Sequence, residues 1–176
     1  MERVPGLDEQ LGDGSDVISN KIFTADVGQM IDLWSAKLLA LPQYRPPRGR
    51  FPGGVLKLGQ AGSFLLFKSG KVVINGLRTE PDELEFHLRT DLLLDNVKLS
   101  HCLGYLTVGR HLQLSELQKQ IVGSIYEPDL HPALTFKIDN VSVMIHHTGK
   151  VLFCGCRNIA HAYIVKREIL DKYVNQ

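Results

Sequence analysis

Apolar and polar residues alternate most regularly at 63–76 and 142–155, and each stretch is broken once by a short polar turn ending in glycine, Lys68-Ser69-Gly70 and His147-Thr148-Gly149. A three-residue loop closing on a left-handed glycine is a common hairpin connection. Both stretches are therefore predicted to be β-hairpins. In this register Phe67 opposes Lys71, Leu65 opposes Val73 and Ser63 opposes Asn75, while His146 opposes Lys150, Met144 opposes Leu152 and Ser142 opposes Cys154. Successive side chains of a strand point to opposite faces. One face collects Phe64, Leu66, Val72, Ile74, Val143, Ile145, Val151 and Phe153, all apolar, and is the predicted core face. The other carries Leu65, Phe67, Val73, Met144 and Leu152, bordered by Lys71 and Lys150. That second face should be polar if it simply met water. Apolar residues rimmed by lysine mark an interaction surface, or else a face covered by a further layer or a second copy.

The two hairpins belong to a larger duplication. Gly70, Lys71 and Gly76 recur 79 residues on as Gly149, Lys150 and Gly155, and FPGGVLKLG (51–59) matches HPALTFKID (131–139) at an offset of 80. Asp16-Val17 matches Asn96-Val97, and Thr79 matches Asn158 as a helix N-cap of suitable type. Each copy reads as strand, amphipathic helix, polar loop, hairpin strands and closing helix. The strands open near 16–23 and 92–103. Helical spacing then links Met30, Leu33, Trp34, Leu38 and Leu41 in the first copy, and Leu114, Leu117 and Ile121 in the second. The closing helix of the second copy carries Ala162, Val165, Ile169 and Tyr173 on one face; that of the first, about 80–89, has Leu84 and Leu88 as its stripe. The expected organisation is an acidic, flexible tail over 1–15 and two repeats over 16–95 and 96–176.

Charge sharpens this division. Residues 1–16 hold Glu2, Asp8, Glu9, Asp13 and Asp16 against Arg3, so the rest of the chain has 19 basic and 14 acidic residues. That modest excess permits an anionic partner without demanding one. No apolar run reaches membrane-spanning length, and no membrane partner is expected. Cys102, Cys154 and Cys156 make no even disulfide framework, so the expected compartment is reducing and intracellular. His146, His147, Cys154 and Cys156 invite a zinc reading, but the hairpin register disperses them, and no CxxC or HxxxH spacing occurs. No nucleophile–base pair, phosphate loop or carboxylate pair stands at diagnostic spacing, so neither an enzyme nor a cofactor is expected.

The segments RFPGGVLKL (50–58), FLLFKSGKVVINGL (64–77), YEPDLHPALTFKI (126–138) and VSVMIHHTGKVLFCGC (141–156) resemble, in this order, the TATA-box-binding protein (TBP) family. YEPDLHP, with histidine where the family has phenylalanine, looks like its divergent TBP-related factors. The resemblance covers about residues 16–176. It implies an α+β fold, a pseudo-symmetric TBP-like saddle with two repeats of curved antiparallel sheet and two helices each. Such a sheet lies on the minor groove, where aromatic wedges kink base steps and rim lysines hold phosphates.

Carried over by residue, the resemblance places the first wedge pair on Phe51 and Phe67 and the second on the substituted positions His131 and His146. It makes Leu65, Val73, Met144 and Leu152 the apolar floor. The central asparagines fall on Asp16 and Asn96, and the paired threonines on Asn75 and Cys154. Arg50, Lys57, Lys71, Lys137 and Lys150 would meet phosphates, and Tyr126, Glu127 and Asp129 match the stirrup that receives transcription factor IIB. The implied role is a nuclear initiation factor. It would bind double-stranded promoter DNA with altered or weakened TATA preference and meet transcription factors IIA and IIB and the RNA polymerase machinery. The alternative is a scaffold in transcription complexes that no longer binds DNA appreciably. Lys98 departs from the valine that the family has beside the second asparagine; Asp16, His131 and the low charge favour the scaffold, and Phe51, Phe67 and the rim lysines favour the DNA-binding factor.

Overall fold

The structure is a computed structural model and describes residues 17–174. Asp16 and the acidic tail lie outside the described residues. The chain folds into two compact units, one of residues 20–100 and one of residues 17–19 together with 101–174. The opening strand is thus divided. Val17 accepts a hydrogen bond from the Tyr105 N–H (2.9 Å), and the Ser19 hydroxyl donates to the Leu103 carbonyl (3.2 Å), so both count with the second repeat.

The first-repeat unit is built on β1 (Ile18–Asp26), α1 (Ala36–Leu39), β2 (Tyr44–Arg45), β3 (Gly54–Lys57), β4 (Ser63–Leu66), β5 (Lys71–Leu77) and α2 (Glu83–Thr90). Its strands lie in the order β2-β3-β4-β5-β1, every pair antiparallel. The β4–β5 register is the predicted one, with Leu65 opposite Val73 and Ser63 opposite Asn75. Gly70 closes the turn at φ 91°, and its N–H donates to the Phe67 carbonyl (3.0 Å). Phe64, Leu66, Val72 and Ile74 are fully buried, and Phe86 of α2 stacks on Phe64 at 4.9 Å between ring centroids.

Two helix readings of this repeat need correction. Residues 27–34 form an irregular loop, bent at 28–29 and turning at 33–34, rather than a helix, and α1 is a single turn capped by the Ser35 hydroxyl. The Asp26 and Asp32 carboxylates accept from the N–H groups two residues on, Gly28 (2.7 Å) and Trp34 (3.0 Å). Such local bonds offer the backbone an alternative to the helix. Leu33 and Leu38 are buried, but Met30 and Trp34 are 69% and 60% exposed. In α2 the stripe is reversed: Phe86 and Thr90 face the core, while Leu84 and Leu88 are 66% and 69% exposed. Its N-cap is Asp82, which accepts from the Glu85 N–H (2.9 Å), rather than Thr79.

The second-repeat unit contains β6 (Asp95–Thr107, from residue 101), α3 (Leu114–Gln120), β7 (Ala133–Ile138), β8 (Val141–His146), β9 (Lys150–Cys156) and α4 (Ile159–Ile169). Its strands lie in the order β6-β9-β8-β7. Met144 faces Leu152 and Ser142 faces Cys154, as the hairpin pattern predicts. Val143, Ile145, Val151 and Phe153 are buried, as are Leu114, Leu117 and Ile121. Asn158 caps α4, accepting from the His161 N–H (2.8 Å). Ala162, Val165 and Ile169 are buried under it, and the Tyr173 ring meets Phe136 edge-on at 5.3 Å. Burying side chains of this size stabilises by about 1.5–3 kcal/mol each.

Candidate nucleic-acid interface

Hydrogen-bonded register builds one row of side chains across the open face of each sheet. In the first repeat it runs Arg45, Val55, Leu65, Val73, Thr24. In the second it runs Ile125, Thr135, Met144, Leu152, Tyr105. The next row carries Lys57, Ser63 and Asn75 in one repeat and Lys137, Ser142, Cys154 and Leu103 in the other. Leu65, Val73, Asn75, Met144, Leu152 and Cys154 are all half-buried, between the sealed core face and open solvent. Val55, Leu103 and Tyr105 extend this surface, and the sequence reading missed them. Their signal was alternation within β3 and β6, which lack a turn glycine to fix their phase.

Phe51 and Phe67 come together at one edge of the first-repeat sheet. Their rings meet edge-on with centroids 5.9 Å apart, and Phe51 is 41% exposed. Phe67 sits at the hairpin end, where its N–H donates to the Lys71 carbonyl (3.0 Å). A β-carbon on Gly53 would press on the Phe51 ring, so glycine there gives the ring its place. The equivalent histidines of the second repeat converge on Ala133. That residue pairs with His146 across β7–β8, and its N–H donates to His131 Nδ1 (3.2 Å). His131 is exposed and His146 half-buried.

The rim is cationic. Arg50, Lys57, Lys137 and Lys150 are exposed, and among the described residues none has an acidic partner. Lys71 differs, because its ammonium donates to Asp26 at 2.6 Å. That bond, with the Gly28 N–H, holds the Asp26 carboxyl below the ordinary carboxylate range. Asn96 is exposed at φ 53° with Lys98 exposed beyond it. At the stirrup the Glu127 carbonyl accepts from the N–H groups of Leu130 (2.9 Å) and His131 (2.8 Å). This tight turn leaves the Glu127 and Asp129 side chains exposed and Tyr126 half-buried.

The cysteines are placed for packing. Cys102 faces Cys156 across β6–β9, both buried, while Cys154 lies on the open face. Burial, with Cys102 and Cys154 nearby, pushes the Cys156 thiol up to about 12, so it stays protonated. His147 points away from them and its ring lies 5.8 Å from that of His111.

These units define an α+β protein of two duplicated sets of antiparallel strands, each with a sealed face under helices and a half-buried, cation-rimmed open face. The comparisons agree and go further. Residues 16–86 and 96–173 match the family described as "Transcription factor TFIID (or TATA-binding protein, TBP)", and the chain belongs to that family. It is 27% identical over 169 residues to the TATA-box-binding protein of Methanocaldococcus jannaschii, covering 88% of this chain and 91% of that one. It is 29% identical over 161 residues to that of a Methanococcus maripaludis strain, covering 84% and 87%. The solved structure of Methanococcus jannaschii TBP superposes with a TM-score of 0.72 at 24% identity, over 90% of this chain and 98% of that one. The expected fold class, the two-repeat TBP-like saddle, therefore holds.

Proposed function

We propose that this chain is a TBP-related initiation factor that binds promoter DNA in the minor groove with weakened or altered TATA preference. The observation that carries the reading is the Phe51–Phe67 pair, Phe51 exposed and Phe67 half-buried, beside the apolar row of the first-repeat sheet. An edge-on aromatic pair is suited to enter a base step and unstack it. The second repeat offers His131 and His146 at the matching place, so one wedge of two is apolar. The relatives' name, TATA-box-binding protein, supports DNA as the ligand. In this reading Arg50, Lys57, Lys137 and Lys150 meet phosphates, and Leu65, Val73, Met144, Leu152, Asn75 and Asn96 face the groove. The acidic stirrup of Tyr126, Glu127 and Asp129 meets transcription factor IIB, with transcription factor IIA and RNA polymerase as further partners and the nucleus as the compartment.

The bond between Lys71 and Asp26 favours a second reading, a scaffold without appreciable DNA binding, because it removes one phosphate-binding cation. A salt titration of DNA binding by fluorescence anisotropy separates the two. At about −0.9 per phosphate, five free cations predict a slope of about −4.5 and four a slope of about −3.6. The second value is expected, together with loss of binding in Phe51→Ala plus Phe67→Ala. No binding to TATA or scrambled duplex at low salt, with transcription factor IIB still captured, would establish the scaffold instead.

A further inference from the structure

Two matched positions on the open faces differ in hydrogen-bonding chemistry. Asn75 of β5 stands across its hairpin from Ser63, and Cys154 of β9 across its own from Ser142. Each is followed by a left-handed glycine, Gly76 (φ 84°) and Gly155 (φ 106°). Pairing with the neighbouring strand slips at both glycines. Ile74 pairs with Phe23 and Leu77 with Lys21, so residues 75 and 76 oppose Ile22 alone. Cys154 pairs with Leu103 and Cys156 with Cys102, so Gly155 is the extra residue. A bulge bends its strand and re-aims the side chain beside it.

In the first repeat the bulge is fixed from two sides. The Asn20 carboxamide oxygen accepts from the N–H groups of Gly76 (2.8 Å) and Leu77 (3.1 Å). A β-carbon on Gly62 would come within 2.6 Å of the Asn75 carbonyl oxygen, so Gly62 packs directly on that backbone. The Asn75 side chain itself is half-buried and, among the described residues, has no hydrogen-bond partner. The row beside it carries Leu65 and Val73. A ligand lying on this face therefore displaces the water on the amide and must replace its bonds, or the burial is unfavourable.

The minor groove meets this requirement at one kind of base pair. It shows acceptors at every pair, and its one donor is the N2 amino group of guanine. A carboxamide has two N–H donors and an acceptor oxygen. Against A·T the Asn75 amino group finds acceptors, but its oxygen is left without a donor. Against G·C the oxygen accepts from guanine N2 while the amino group still has acceptors beside it. Cys154 gains little from the same group, because sulfur is a weak acceptor.

We propose that Asn75 is a specificity-determining residue that selects a G·C pair at the position it faces, while Cys154 confers no such preference in the second repeat. The proposal rests on the minor-groove reading above. The test is fluorescence anisotropy on A·T duplexes in which each pair in turn is replaced by G·C or by inosine·C. Inosine is guanine without the N2 amino group. At one position G·C should bind about five-fold or more tighter than inosine·C, the factor expected for a desolvated acceptor that gains its partner. Asn75→Ala should abolish that difference, and Cys154→Asn should create a second such position. Melting curves confirm that both variants fold. The comparison of G·C with inosine·C in the wild type needs no variant at all. Binding across the panel with no position favouring G·C over inosine·C overturns the proposal and leaves the DNA-binding reading standing. So does a preference that survives Asn75→Ala. Binding to no duplex overturns both.

Discussion

His161 shows how one buried side chain ties stability to pH. It lies under the start of α4, where the Arg157 N–H donates to its Nδ1 (3.1 Å) and its Nε2 stands 3.4 Å from an Asp139 carboxylate oxygen. Burial, then the neighbouring Arg157 charge, holds its pKa below the ordinary 6.5, and Asp139 only partly offsets them. The unfolded imidazole thus takes up its proton at a higher pH than the folded one. Stability is then complete above the unfolded value and is lost as pH falls from there through the folded one, because the unfolded state binds more protons in that window. His161→Asn keeps an acceptor near the Arg157 N–H but does not titrate. Urea midpoints measured from about pH 7.5 to about pH 5 should fall less steeply in this variant than in the wild type. Identical slopes would show that His161 is not the source.

At the scale of elements, the hairpins were legible because two independent signals agreed, strict alternation and a turn glycine at φ 91° or 82°. The helices of the first repeat were not legible, because apolar spacing counts side chains without knowing which side the core is on. In α2 one aromatic outweighs two leucines: Phe86 stacks on Phe64, and Thr90 follows it inward because its hydroxyl bonds the Phe86 carbonyl (2.8 Å). A threonine with its polar atom satisfied is a core residue that no hydropathy pattern marks. The same holds at 27–34, where Met30 and Trp34 keep helical spacing in an irregular loop. Of the candidate site, the apolar row was legible through alternation and duplication, and the wedge reading of Phe51 and Phe67 is what the family resemblance implies, whereas the Lys71–Asp26 bond was not legible, since its partners are 45 residues apart. Capping gives a test at this scale. Asp82→Ala should cost about 0.5–2 kcal/mol, the usual price of an N-cap, and Thr79→Ala almost nothing. Chemical denaturation of both variants checks this, and the opposite ranking would return the cap to Thr79.

At the scale of the whole molecule, the two repeats share a register but not a chemistry, and the proposed function turns on that inequality. Unstacking a base step costs a few kcal/mol, and a fully buried phenylalanine returns about 1.5–3 kcal/mol. Two rings therefore roughly balance one kink, as Phe51 and Phe67 could do. Imidazoles return less apolar burial and bring polar nitrogens that need partners in the stack. The DNA is then expected to kink at the first-repeat end and stay nearly straight at the other. His131→Phe plus His146→Phe should restore the second wedge. The measured outcomes are a larger bend, by end-to-end energy transfer on a labelled duplex, and affinity tighter by about ten-fold, equivalent to about 1.4 kcal/mol. Losing the bond from the Ala133 N–H to His131 should cost the protein no more than about 1 kcal/mol of stability, which a melting curve can verify. An unchanged bend and affinity in a folded double variant would mean that these positions do not meet DNA. The asymmetry would then belong to a protein partner that reads the two repeats differently.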